Sequence, residues 1–195
     1  MRLRQAARKV YFGFFIAKSE MFKYEFLYNC INMYKLLADS DALIKISKAE
    51  FLDFVVENFQ VLITGEVYKE TVNEGKRGFY QDAYNIERLI KINKIKVLEG
   101  KSYKKNKKPK QNFGKGEESI FQARKKGILI VTDDLSFTLY AQKENIKSIS
   151  SAHLVFILAK KGKLKKDKAY YFLEKLRPFI RKEIYELVKN DIQGE

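Results

Sequence analysis

The stretch Ile128-Leu129-Ile130-Val131-Thr132-Asp133-Asp134 sets four unbroken apolar residues against a threonine and two carboxylates. A short run without polar alternation reads as a strand covered on both faces, the kind that parallel sheets contain. Gly127 before it reads as the end of a helix, and Leu135 to Lys143 after it has helical spacing. The same pattern occurs far upstream. Tyr34 to Ala38 is an apolar run that stops at Asp39, and Ala42 to Ile46 resumes with helical spacing after a Ser/Asp turn.

Between and beyond these two runs the pattern keeps alternating. Val61 to Ile63, Ile95 to Leu98 and Ile146 to Ile149 read as further strands. Helices are predicted over Ala49 to Asn58, from a Thr64-Gly65 cap until Gly75 and Gly78 break it, and over Tyr80 to Lys91 with Ala83, Ile86, Leu89 and Ile90 inward. Others start at Gly116 and, capped by Ser150 or Ser151, run over Ala152 to Ala159. After Lys160 come a lysine-rich turn and two helices, the second presenting Ile180, Ile184, Leu187 and Val188 on one face. Alternating strand and helix is the signature of an α/β fold.

With 195 residues, 46% of them hydrophobic, and no repeat or linker, the chain holds one principal core. Cys30 is the only cysteine, which rules out an internal disulfide and a cysteine zinc site and fits a reducing, cytoplasmic setting. Arg2, Arg4, Arg8 and Lys9 precede an apolar run from Val10 to Ala17. That run is far short of the roughly 20 residues that span a bilayer, and Lys18-Ser19-Glu20 stands where a signal cleavage site belongs, so no membrane association is expected. Residues 1–32 read instead as a basic, aromatic helical extension whose Tyr11, Phe12, Phe14, Phe15 and Phe22 need a surface to pack on; Met33 is an alternative start.

Carboxylates gather where elements begin or end: Asp39 with Asp41, Glu66 with Glu70, Glu117 with Glu118, and Asp133 with Asp134. Each alone is explained by helix capping or by a helix dipole. In an open parallel sheet, however, residues that follow the strands share one edge, and that edge is where ligands bind. Carboxylates crowded there repel one another unless a cation neutralises them, and an all-oxygen set suits Mg²⁺ or Mn²⁺. The surrounding chain has 39 Lys+Arg against 24 Asp+Glu, a formal +15, so an acidic focus within it fits a phosphodiester substrate. Residues 101–115 hold seven lysines and no acid, a loop in which Lys104, Lys105, Lys107 and Lys108 suit an RNA backbone and Tyr103 and Phe113 suit unpaired bases, or which is merely solvated. His153 is the sole histidine, a packing or capping residue at a helix start, and no serine or cysteine triad is present.

These residues together resemble the PIN domain, a family of small metal-dependent ribonucleases that includes toxins of toxin–antitoxin pairs. Leu36-Leu37-Ala38-Asp39-Ser40-Asp41-Ala42-Leu43-Ile44 resembles its first strand, acid and helix start; Thr64-Gly65-Glu66-Val67-Tyr68-Lys69-Glu70 resembles its second acidic segment; Gly114-Lys115-Gly116-Glu117 and Thr132-Asp133-Asp134 resemble the G-x-G-E and T-D-D motifs of one subgroup. The resemblance implies a three-layer α/β/α fold around a mainly parallel sheet of four to five strands. It implies a catalytic domain over 33–160 and C-terminal helices 161–195 packed on it. It implies that Asp39, Glu70, Glu117 and Asp134, with Asp133 or Glu118 as competitors, surround one or two Mg²⁺ or Mn²⁺ ions and hydrolyse RNA. An antitoxin protein and a second copy are the expected protein partners. An RNA-processing nuclease and a non-catalytic nucleic-acid-binding module are the alternatives.

Overall fold

The computed structural model describes residues 35–100, 109–125 and 127–194. The extension 1–32, Tyr103 and Lys104, Lys105, Lys107 and Lys108 lie outside the described residues. The five strands are β1 (Lys35–Ala38), β2 (Gln60–Thr64), β3 (Ile95–Leu98), β4 (Ile128–Val131) and β5 (Ser148–Ile149). They form one sheet in the order β3-β2-β1-β4-β5, every pairing parallel. β1 and β4 lie at the centre in the register Leu36↔Leu129, Leu37↔Ile130 and Ala38↔Val131. All six of these side chains are buried, and each buried Leu contributes roughly 1.5–3 kcal/mol. β3 is an edge strand, and its Lys96 and Val97 are exposed.

The helices are α1 (Ser40–Lys48), α2 (Leu52–Asn58), a composite α3 (Gly65–Tyr68, a π-helical stretch Lys69–Glu74, and Gly75–Arg77), α4 (Gln81–Lys91), α5 (Lys115–Ala123), α6 (Leu135–Lys143), α7 (Ser151–Lys160), α8 (Lys166–Leu176) and α9 (Lys182–Gln193). α1 packs beside α4, α7 and α8, with Asn85 Nδ2 donating to Ser47 Oγ at 3.2 Å. α5 and α6 meet through Phe121 and Tyr140, ring centroids 5.3 Å apart. Right-handed crossovers place these two groups on opposite faces of the sheet, which makes three layers. α9 closes a smaller cluster in which Ile184, Tyr185 and Val188 pack with Ala152, Phe156 and Leu173 of α7 and α8.

Several boundaries differ from the sequence reading, each for a local reason. α2 starts at Leu52 rather than Ala49, because Ala49 caps α1 and Glu50 turns the chain at φ 57°. Gly75 does not break α3. It lies within the helix, buried against α4, where a Cβ would stand 2.8 Å from Ala83 Cβ; the helix ends only at Arg77. α5 ends at Ala123, four residues before Gly127, whose φ of 84° makes the turn into β4.

Gly75→Val should overpack the α3–α4 contact and lower stability by roughly 1–3 kcal/mol in urea unfolding. Gly65→Ala, at a position with nothing within 4 Å of the new Cβ, should leave stability equal or higher.

Candidate active site

β1 leads to β2 on one side and β4 leads to β5 on the other, so the chain diverges from between them. The crevice outside the carboxyl ends of two such strands is the usual ligand position in an open α/β sheet. Asp39 follows β1 and Thr132-Asp133-Asp134 follow β4. The backbone N–H of Asp39 donates to Val131 O at 3.0 Å, which carries the strand pairing one residue further and sets Asp39 beside Thr132.

Asp39 is 3% exposed and caps α1, its Oδ1 accepting the N–H of Ala42 at 2.6 Å. Burial pushes its carboxyl up to about 8; hydrogen bonds from Thr132 and Ala42 oppose this, and the nearby charges of Asp133 and Asp41 add to it. Thr132, fully buried, also accepts the N–H of Asp134 at 3.2 Å, so one hydroxyl meets the Asp39 carboxylate and the Asp134 backbone. Asp134 caps α6 through Phe137 N–H at 2.5 Å.

Glu70 sits in the π-helical stretch of α3, a rare geometry that recurs at functional sites. Ser40, next to Asp39, donates a short hydrogen bond to its Oε2. The carboxylate lies against the backbone of Gly116 so closely that a Cβ there would stand 2.8 Å from Oε2. Glu117 is half-buried in the first turn of α5, with Oε2 2.5 Å from where a Cβ on Gly114 would be. α5 is tied to β2 by Thr64 and Ser119, whose hydroxyls lie 2.6 Å apart, and Ser119 also donates to Gly116 O at 2.7 Å.

The remaining predicted acids have other hydrogen-bond or ion-pair partners. Asp133 accepts Ser151 N–H at 3.0 Å and Ser151 Oγ–H at 2.6 Å, with Lys45 Nζ 3.7 Å away, and so anchors the start of α7. Glu118 accepts from Gln122, Glu66 pairs with Lys69, and Asp41 pairs with Lys45. Phe113 is half-buried, edge-on to Phe137 and Tyr140. His153 is buried, its Nδ1 2.7 Å from Ser150 Oγ. Among the described residues no three His, Cys, Asp or Glu side chains stand close enough to ligate one ion. Ser40 and Gly116 hold the Glu70 carboxylate, and Thr132 contacts the Asp39 carboxylate and the Asp134 backbone. Sequence reasoning assigned Ser40 and Thr132 no part, although both adjoin the predicted acids. Ser151 was read only as a candidate helix cap, Lys45 carried the four-residue step from Asp41, and Ser119 carried no local signal.

Gly116→Ala should drive the Glu70 carboxylate off its seat at little cost in stability, because the atom that must move is the end of a flexible side chain; loss of activity with an unchanged unfolding midpoint is the expected result. Asp39 is protonated in the folded chain up to about pH 8 but ionises near 3.8 when unfolded. The folded state therefore binds the extra proton between these values, and stability of the metal-free protein should fall as pH rises from 4 to 8. Asp39→Asn should flatten that slope and be more stable at neutral pH by on the order of a few kcal/mol, read by thermal unfolding in chelator.

No curated protein and no solved structure matches the chain. A family model described as a PIN domain matches residues 35–192, from the first residue of β1 almost to the end of α9. With a five-stranded parallel sheet between two helical layers and acids at its central switch point, the chain belongs to the PIN-domain family, whose members are in general nucleases that act on nucleic acid with divalent ions.

Proposed function

We propose that this chain is a metal-dependent endoribonuclease in which Asp39, Glu70, Glu117 and Asp134 hold one or two Mg²⁺ or Mn²⁺ ions. One observation carries the reading: at the switch point the Thr132 hydroxyl meets both the Asp39 carboxylate and the backbone N–H of Asp134, and Ser40, the residue after Asp39, hydrogen-bonds the Glu70 carboxylate. The donor chemistry fits the ion. All four groups are hard oxygen ligands, and Asp39 is desolvated beside Asp133 and Asp41, so a cation offsets a charge that burial otherwise suppresses. A bound divalent ion supplies positive charge to the phosphodiester as negative charge develops during attack by water.

The chain's own residues do the rest. Ser40 and the bare backbone of Gly116 hold the Glu70 carboxylate in one orientation, and capping bonds from Ala42 and Phe137 fix those of Asp39 and Asp134. Asp133 is a positioning residue in this reading, because both its oxygens are used to anchor α7. The +15 charge draws RNA toward the acidic edge, and Lys104, Lys105, Lys107 and Lys108, with Tyr103 and Phe113, are assigned to its backbone and bases on sequence alone. The G-x-G-E and T-D-D resemblance favours a cytoplasmic toxin paired with an antitoxin, with homodimerisation as a further assignment.

Purified protein should cleave unpaired RNA in Mn²⁺ and lose at least about 100-fold of that rate in Asp39→Asn and Asp134→Asn. Mn²⁺ at about 100 times its Kd should raise the unfolding midpoint of the unsubstituted protein by roughly 5–10 °C and not that of Asp39→Asn. RNA binding without cleavage assigns the chain to a non-catalytic module instead.

A further inference from the structure

Seven large apolar side chains stand exposed among the described residues; Phe79, Tyr80 and Tyr84 lie at the turn between α3 and α4 and in the first turn of α4, and Phe179 lies in the turn after α8. Phe79 is the extreme at 85% exposed. Its φ of 55° lies in the left-handed region, where an L side chain is strained and glycine is not. The position is the first beyond the cap of α3. Phe79 N–H donates to Lys76 O at 3.1 Å and Tyr80 N–H to Gly75 O at 3.0 Å, the paired bonds of a helix stop in which glycine is the usual occupant. Neither folding nor solubility accounts for a bare aromatic ring there.

Cations stand beside three of these rings. Lys48 Nζ lies 5.7 Å from the Tyr80 centroid and 5.9 Å from that of Phe179, which joins the two rings into one patch. Lys76, paired with Glu87 at 3.0 Å, lies 5.5 Å from the Tyr84 centroid, and Arg77 is exposed beside them. Exposed ring faces interleaved with cations fit a single nucleic-acid strand, whose bases stack on the rings while its phosphates meet the charges. A second copy fits worse, because it would bring the same Lys48, Lys76 and Arg77 against themselves. Phe79 follows the helix that carries Glu70, nine positions along, which is roughly 14 Å along the axis.

We propose that Phe79, Tyr80 and Tyr84 form a stacking platform for unpaired bases of an RNA whose phosphodiester reaches Asp39 and Glu70. This rests on the ribonuclease reading above. The test measures anisotropy of a short fluorescein-labelled unpaired RNA with Asp39→Asn protein, alone and combined with Phe79→Gly or Tyr84→Ala, at one fixed salt concentration. Phe79→Gly should weaken RNA binding roughly 5- to 100-fold, the loss of one stacked base, while its unfolding midpoint holds or rises as the left-handed strain is relieved. Tyr84→Ala should weaken binding by a similar factor.

Unchanged affinity in both variants overturns the platform. Cleavage of the same RNA by the unsubstituted protein in Mn²⁺ decides the ribonuclease reading separately. If Asp39→Asn alone binds no RNA, the platform is overturned as well. A dimer seen by light scattering that Phe79→Gly dissociates, with RNA affinity intact, assigns the patch to a second copy and overturns the proposal.

Discussion

The parallel pairing of β1 with β4 is the constraint on which the rest of the molecule depends. Their register continues one residue past the strand, from Asp39 N–H to Val131 O, and so fixes which side chains stand side by side when both chains leave the sheet. Because the next crossovers go opposite ways, nothing in the sheet itself fills the gap between them. A slip of one residue would exchange the buried and emerging side chains of a strand and separate Asp39 from Thr132. The apolar runs of both strands hold the register, since each is buried throughout its core-facing length.

The residues at this edge serve the fold and the site together. Asp39, Thr64, Asp134 and Ser150 each cap the helix that follows a strand, and each cap places a polar side chain at the same edge. Capping and ligation are therefore compatible uses of one carboxylate. A cap employs one oxygen, Oδ1 in both Asp39 and Asp134, and leaves the second for another partner. Asp133 differs because Ser151 engages both of its oxygens. Burial of Asp39 costs the folded state its charge, and the hydroxyl and amide donors around it recover only part of that cost.

Most elements were legible in the sequence because their signals are local. β3, β4 and α6 occupy the residues their apolar spacing indicates, and the caps at Thr64 and Ser150 stand where short polar side chains precede helical spacing. Gly75 misled because a glycine's usual meaning in a helix is a break, whereas here its missing Cβ admits Ala83 of another helix. The π-helical stretch around Glu70 had no local signal at all. The Glu70 side chain it presents meets Ser40 and Gly116, which lie far away in sequence. Nothing in the sequence singled out Phe79, and only the tertiary structure showed a ring both strained at its backbone and exposed.

From the sequence alone followed the alternation of strands and helices, the parallel character of the sheet, and acids at strand ends within a basic chain. These depend on hydrophobic period and side-chain chemistry, which are properties of neighbouring residues. The tertiary structure alone decided that Asp133 anchors α7 while Asp134 caps α6, that Ser40 and Gly116 meet the Glu70 carboxylate, and that Thr132 meets Asp39. Those outcomes depend on strand order and on distances between residues tens of positions apart, which no periodicity within one segment encodes.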